Sequence, residues 1–297
     1  MQDESRSFRW LSEILEDPDA LKPPRAVVPR LVWEGHTTML AGREKGGKST
    51  LAGAIAGAVS SGNAFFGEET TSGKVLYIGL EESTFLIANR LVKYGADPEN
   101  VGIVSRGSYG KDIVAAIKEA AEEIQPDLII WDTLGKFADI LFDKPIEPGN
   151  SAEWTRVLGI IEDIARQYGA TLLLHHSRKS DGKYRDSTAI GGGVDMIVEM
   201  FGERSDPRTL KGIGRFEFED FVMTFDGHNY TIARTEDNLK EDVLAFIKKT
   251  PKCSVRAMIE GVEGRSKAVM NAKQALIEEG LIVNVGTAAK HAYMVMA

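Results

Sequence analysis

From about residue 31 to 235 short apolar runs alternate with stretches whose apolar positions recur at helical spacing. The runs Thr38–Ala41, Val75–Gly79, Val101–Val104, Leu128–Trp131 and Thr171–His175 predict strands, and residues 49–60, 83–94, 111–124 and 153–168 predict the helices between them. Strands this apolar, separated by helices, imply a parallel sheet covered on both faces, an α/β fold. After residue 195 the rhythm shortens to Met196–Phe201, Thr209–Arg215, Phe218–Phe225 and Asn229–Ala233, with a hairpin turn at Asp226-Gly227. Beyond 239 it changes again, to helices over 239–249, near 254–261 and over 266–279, then strand-like Leu281–Val285 and Ala292–Met296. Three helices and a β-hairpin predict a winged helix-turn-helix. At the other end Phe8, Leu11, Ile14 and Leu15 share one helical face, and Pro18, Pro23, Pro24 and Pro29 predict an irregular linker after it. The expected organisation is an arm and linker over 1–30, an α/β core over 31–237 and a small C-terminal domain over 238–297.

Composition narrows the classes. With 297 residues, 43% hydrophobic and 27% charged, the chain is an ordinary soluble globular protein able to bury a large core. A net charge of −8 excludes nucleic-acid binding by bulk charge and leaves room for local basic loops. The charge is uneven, since residues 239–297 hold nine Lys/Arg against six Asp/Glu. The lone Cys253 excludes a disulfide framework and cysteine-based zinc ribbons. No apolar run approaches the roughly 20 residues that span a bilayer, and the polar start MQDESRSF does not read as a signal peptide. A cytoplasmic protein without a membrane partner is expected.

The sharpest chemistry lies at Gly42-Arg43-Glu44-Lys45-Gly46-Gly47-Lys48-Ser49, which satisfies G-x-x-x-x-G-K-[ST] between a predicted strand and a predicted helix. Backbone N–H groups of such a loop converge on phosphates at a helix N-terminus, where the dipole favours anions. Gly42 to Thr50 are therefore the expected ATP-binding residues. Lys48 would neutralise developing charge, and Ser49 would hold Mg²⁺. The strand Leu128–Trp131 delivers Asp132 to the same end, as a second holder of the magnesium shell. Glu81 and Glu82 follow another strand, and alternation turns one of them toward the phosphates as a base for the attacking water, unless both cap the next helix. The strand Thr171–Leu174 ends in His175-His176. Adjacent residues on a strand diverge, which argues against a metal pair and for one polar group near the γ-phosphate. The following segment, Ser177–Ser187, carries Arg178, Lys179, Lys183 and Arg185.

Together these residues resemble the RecA-like ATPases of the plasmid RepA-type hexameric helicase group, found in phages and mobile elements. The likeness covers about residues 8–235. It rests on Gly42–Ser49, on Val75–Glu82 followed by Ile87-Ala88-Asn89-Arg90-Leu91, on Asp132, and on Leu174-His175-His176-Ser177-Arg178-Lys179. Arg185-Asp186-Ser187-Thr188-Ala189-Ile190 is similar to the family's Arg-Gly-Ser-Ser-Ala-Ile stretch, with Asp186 where glycine is usual. The resemblance implies Glu81 as catalytic base, with Glu82 the second choice, and His176 as γ-phosphate sensor. It implies Arg215 as an arginine finger reaching a neighbour's nucleotide, although Lys211-Gly212-Ile213-Gly214-Arg215 displaces the lysine of the usual Lys-x-Arg. Phe8–Leu15 resembles an arm laid on the adjacent subunit.

The leading functional expectation is an ATP-driven, ring-forming motor of about six subunits on single-stranded DNA, a helicase, with any primase a separate protein. DNA would meet the loops Gly135–Ser151, through Lys136 and Lys144, and Lys179–Ile190, through Lys179, Lys183 and Arg185. In the winged helix Arg265, Lys267, Asn271 and Lys273 would face DNA, opposite a buried face of Val269, Ala272, Leu276 and Ile277. Three alternatives stay open: a recombination or repair ATPase without unwinding, an ATP-switched sequence-specific DNA binder, and a metal-dependent nuclease using Glu81, Asp132 and His175 or His176.

Overall fold

The computed structural model describes residues 8–147, 149–176, 188–202, 207–233, 236–262, 266–287 and 291–296. The chain forms two compact units, one of residues 1–220 with 225–231 and one of 221–224 with 232–297. The second unit thus starts six residues before the expected boundary, at Ile232 rather than 238, and also takes in Phe221–Thr224 of a strand.

Along the first unit run α1 (Leu11–Leu15), β1 (Ala26–Val28), β2 (Val32–Trp33), β3 (Thr37–Gly42), α2 (Lys48–Ser61), β4 (Val75–Gly79), α3 (Thr84–Lys93), β5 (Val101–Ser105), α4 (Ile113–Ile124), β6 (Leu128–Asp132), α5 (Leu134–Phe142), α6 (Ser151–Tyr168), β7 (Ala170–His176), α7 (Thr188–Gly192), β8 (Met196–Phe201) and β9 (Arg208–Gly214). Two further strands, β10 (Phe221–Phe225) and β11 (Tyr230–Ala233), are divided between the units. The order across the main sheet of the first unit is β9-β8-β3-β7-β6-β4-β5. All neighbours are parallel except β8 and β9. Every residue of β3, β4 and β6 is buried, the signature of a sheet covered on both sides. On one face Met39, Leu76, Ile78, Ile129, Trp131 and Leu173 pack with the buried stripes of α4, α5 and α6. Along α2, Gly57 lets the backbone of Tyr94 come so near that a Cβ would stand 2.3 Å from its carbonyl oxygen.

Two expectations fail here for physical reasons. The proline-rich linker contains a hairpin, because Pro29 sits in the turn rather than in a strand. Leu31 N–H bonds to the Val28 carbonyl, and Arg30 takes a left-handed φ of 65°. Val27, Val28, Leu31 and Val32 are then buried. Second, Gly135–Ser151 is not a loop through its first half. Leu134, Phe137 and Ala138 recur at helical spacing and are buried, and the Thr133 side chain caps α5. Helix α1 is short, with Phe8, Trp10, Leu11 and Leu15 all exposed.

The second unit holds α8 (Glu236–Lys249), α9 (Val255–Gly261), α10 (Ser266–Glu278) and the antiparallel pair β12 (Ile282–Asn284) and β13 (Tyr293–Val295). Its own core includes Leu239, Val243, Ile247, Met258, Val269, Leu276, Ile282 and Tyr293. Lys273, expected to face solvent, is buried in it. Its ammonium lies 5.2 Å from the Tyr293 ring centroid and 3.5 Å from that hydroxyl. The aromatic face of Tyr293 stabilises the buried charge.

Candidate active site

The register of the sheet assembles the site. Gly42 pairs with His176, Asp132 with Gly79 and Leu174, so β3, β7, β6 and β4 end side by side. In open α/β sheets ligands bind outside these carboxyl ends. The turn from β3 into α2 needs left-handed backbone at Lys45 (φ 59°) and Gly47 (φ 96°), and glycine meets the second at no steric cost. Helix α2 then begins at Lys48.

Lys48 is buried, and its ammonium donates to the carbonyls of Gly42 (2.8 Å) and Arg43 (2.9 Å) and to Nδ1 of His176 (3.1 Å). Burial lowers its pKa to about 8 against the opposing pull of Asp132, Glu81 and Glu44. Ser49 Oγ donates to Asp132 Oδ1 at 3.0 Å, and the Tyr77 hydroxyl donates to Asp132 Oδ2 at 2.7 Å. Burial raises the Asp132 carboxyl from its usual range, opposed by those two donors. The same burial drives the Tyr77 phenol well upward, so it stays a donor.

Glu81 and Glu82 diverge. Glu81 accepts from the Thr133 hydroxyl at 2.7 Å, and its Oε1 lies 3.8 Å from His176 Nε2. The His176 ring, and after it Thr133, hold the Glu81 carboxyl below its usual range despite partial burial. Glu82 instead pairs with Arg90, whose other nitrogen reaches the Tyr77 hydroxyl at 3.3 Å and stands 3.8 Å from Asp132. His175 sets its ring edge-on to Trp154 at 6.1 Å and lines the same cavity as His176. A cavity of about 280 Å³ continues from Glu81, Thr133 and His176 past Lys136 to Trp154. Lys136, expected on a DNA loop, thus lines a pocket beside Glu81 on α5. Lys144 is paired with Glu153 at 2.7 Å.

The structure therefore brings together Lys48, Ser49, Glu81, Asp132 and His176. Arg215 is not among them. It pairs with Asp195 at 2.8 Å and is 70% exposed, next to Gly214, which faces Met196 and through it Thr38. That is the sheet end opposite the P-loop, about 13 Å along the strand. Lys179, Lys183, Arg185 and Arg265 lie outside the described residues, whereas Lys267 and Asn271 are exposed on α10. Tyr77, Arg90, Thr133 and Arg208 had no assigned role in the sequence reading. A tyrosine inside an aliphatic strand was one available signal, because a buried phenol needs a partner. For Arg208 the signal was alternation with Leu210, which puts both on the inner face.

Among the described residues no cluster of three or more His, Cys, Asp or Glu could cage a metal. A serine hydroxyl bonded to a carboxylate suits Mg²⁺, which usually takes only one or two protein ligands beside substrate phosphates. Among the described residues no helix is long and apolar enough to cross a membrane.

No curated protein matches the sequence. Among solved structures the chain is similar to the KaiC-like protein PH0186 from the hyperthermophilic archaeon Pyrococcus horikoshii OT3, at 14% identity and a TM-score of 0.52. That likeness covers 71% of this chain and 100% of that one, and it establishes the fold. A family described as an AAA domain matches residues 4–182, more than half of the sequence. With that match, the P-loop and the mostly parallel sheet, the chain belongs to the AAA domain family as an ATPase of RecA-like type.

Proposed function

We propose that this chain is an oligomeric ATP-driven motor on single-stranded DNA, of the helicase type. The observation that carries the proposal is the contact chain Lys48–His176–Glu81, which ties the phosphate-binding lysine to the candidate base through a strand-end histidine. His176 is also the last residue before the basic segment 177–187, so a change at the phosphates would be passed to that segment through one side chain. Lys48 would bind the phosphates, and Glu81 would take a proton from the attacking water. Mg²⁺, held by Ser49 and Asp132, would supply charge neutralisation at the β- and γ-oxygens. Tyr77 keeps Asp132 Oδ2 engaged, which leaves Oδ1 directed at Ser49.

In this reading Arg215 serves a neighbouring subunit, since it stands at the sheet end remote from its own P-loop. The three helices and β-hairpin of the second unit fit a winged helix, with Lys267 and Asn271 exposed for phosphate contact. The test is oligomeric mass with and without ATP and single-stranded DNA, followed by an unwinding assay against a strand-pairing assay. A stable monomer under all conditions, or pairing without unwinding, would overturn the helicase proposal and leave the ATPase assignment standing.

A further inference from the structure

Arg208 opens β9 and is fully buried. Its Nη1 donates to the Gly46 carbonyl at 3.2 Å, while Nε and Nη2 have no hydrogen-bond partner among the described residues. The guanidinium carbon stands 5.3 Å from the Tyr230 ring centroid and 5.9 Å from that of Phe225. Those two rings stack at 4.4 Å. A guanidinium buried on one hydrogen bond is costly, and aromatic faces offset only part of the cost. An apolar side chain of similar volume would fill the same place without an unpaired charge. Among the described residues the guanidinium makes this one hydrogen bond, and what that bond does accounts for it.

That bond ends on the phosphate loop. Gly46 lies between the left-handed residues Lys45 and Gly47, and its own N–H turns back to the Arg43 carbonyl at 3.1 Å. The Gly46–Gly47 peptide is planar, with its C=O and N–H pointing in opposite directions. A group that fixes the carbonyl toward β9 necessarily fixes the Gly47 N–H away from β9. We infer that Arg208 is a positioning residue of the phosphate loop: by holding the Gly46 carbonyl it presents the Gly47 N–H to the β-phosphate of the bound nucleotide. The aromatic pair Phe225 and Tyr230 is the shelf that keeps the guanidinium in plane. The inference rests on the reading of the loop as a nucleotide site and adds a residue that touches no nucleotide.

The test compares wild type, Arg208→Met and Arg208→Lys in the full chain by ADP titration, steady-state ATP turnover and thermal melting. Loss of one charge-assisted positioning bond should raise the ADP Kd and the ATP KM of Arg208→Met about tenfold, with kcat of the folded enzyme changed by less than about threefold. Arg208→Lys, which keeps a charged donor, should fall between the two. A merely structural role would lower the melting temperature and the active fraction but leave Kd and KM of the folded molecules alone. An ADP Kd within twofold of wild type in folded Arg208→Met overturns the proposal. Should Arg208→Met not fold, Tyr230→Leu keeps the arginine but removes half its shelf, and the expected rise in ADP Kd is about threefold; an unchanged Kd there also overturns it. A wild-type chain that binds no ADP would bring down the nucleotide reading itself, which is a distinguishable result.

Discussion

Lys48 Nζ stands 3.1 Å from His176 Nδ1, so the acceptor nitrogen of the imidazole faces the lysine and the other faces Glu81 at 3.8 Å. A lysine at the start of α2, a histidine at the end of β7 and a glutamate just past β4 are thereby connected in one line. Removing the first should silence the site. Lys48→Ala should lower ATP turnover by at least about a hundredfold, the scale of losing one donor to developing charge. Near-normal turnover in the purified variant would reject the P-loop assignment.

The lowered pKa of Lys48 gives a pH dependence with a definite sign. A nucleotide's phosphates favour the charged lysine, so its pKa rises above about 8 in the complex. Between pH 8 and that higher value, binding must take up a proton, and affinity falls as pH rises. The expected uptake approaches one proton, and the slope approaches tenfold per pH unit in that window. Calorimetric titration in buffers of different ionisation enthalpy measures the uptake. Proton release, or none at pH 9, would show that the lysine stays charged throughout.

The two adjacent glutamates should behave as different residues. Glu81→Gln should keep nucleotide binding and lose hydrolysis, since a base acts in the transition state more than in the ground state. Glu82→Gln should weaken its bond to Arg90, a partly exposed pair, and cost about 1 kcal/mol of stability with turnover largely retained. The reverse pattern in turnover would put the base on Glu82.

How much of this was legible in the sequence follows from the range of the forces involved. β4 and β8 were found to the residue, and the ends of β3, β5, β6 and β7 to within one; β3, β4, β6 and β7 are buried parallel strands that read as continuous apolar runs, whereas β8 buries alternate residues. The hairpin β1–β2 was missed, because Pro18, Pro23 and Pro24 outweighed the turn that Pro29 makes well. Helix α5 was missed because its strand-to-helix turn read as the start of a loop. Glu81, Asp132 and His176 were legible as strand-end residues. The partners that fix their orientation, Tyr77, Arg90 and Thr133, come from other segments, and one-dimensional periodicity carries no such long-range contact. Lys273 misled for a related reason. It sits at the edge of a helical stripe, where the Tyr293 ring, twenty residues away, decides which side is solvent.

Arg215 makes its ion pair with Asp195 at the sheet end remote from its own P-loop, so in the proposed oligomer its catalytic role would be exercised on another subunit. Arginine fingers in P-loop enzymes contribute about 10³–10⁵ in rate. Arg215→Ala and Glu81→Gln should each be nearly inactive alone, and mixing them should restore turnover at interfaces that combine an intact finger with an intact base. No recovery in verified mixed oligomers would remove Arg215 from catalysis.

The last expectation separates two lysines six residues apart on α10. Lys267 is exposed, and if the second unit binds duplex DNA this lysine can neutralise a phosphate. Each such contact contributes about −0.9 to the slope of log affinity against log salt. Lys267→Gln should therefore make the slope shallower by about that amount while the melting temperature is unchanged. Lys273 is buried over Tyr293 and has no exposed charge to offer a phosphate. Lys273→Gln should lower the melting temperature and leave the salt slope where it was. Titrations of both variants in the full chain at two salt concentrations, with melting curves alongside, decide the matter. If neither variant changes the slope for duplex or single-stranded DNA, α10 is not a DNA-reading helix, and the exposed face of the second unit would be assigned to a protein partner instead.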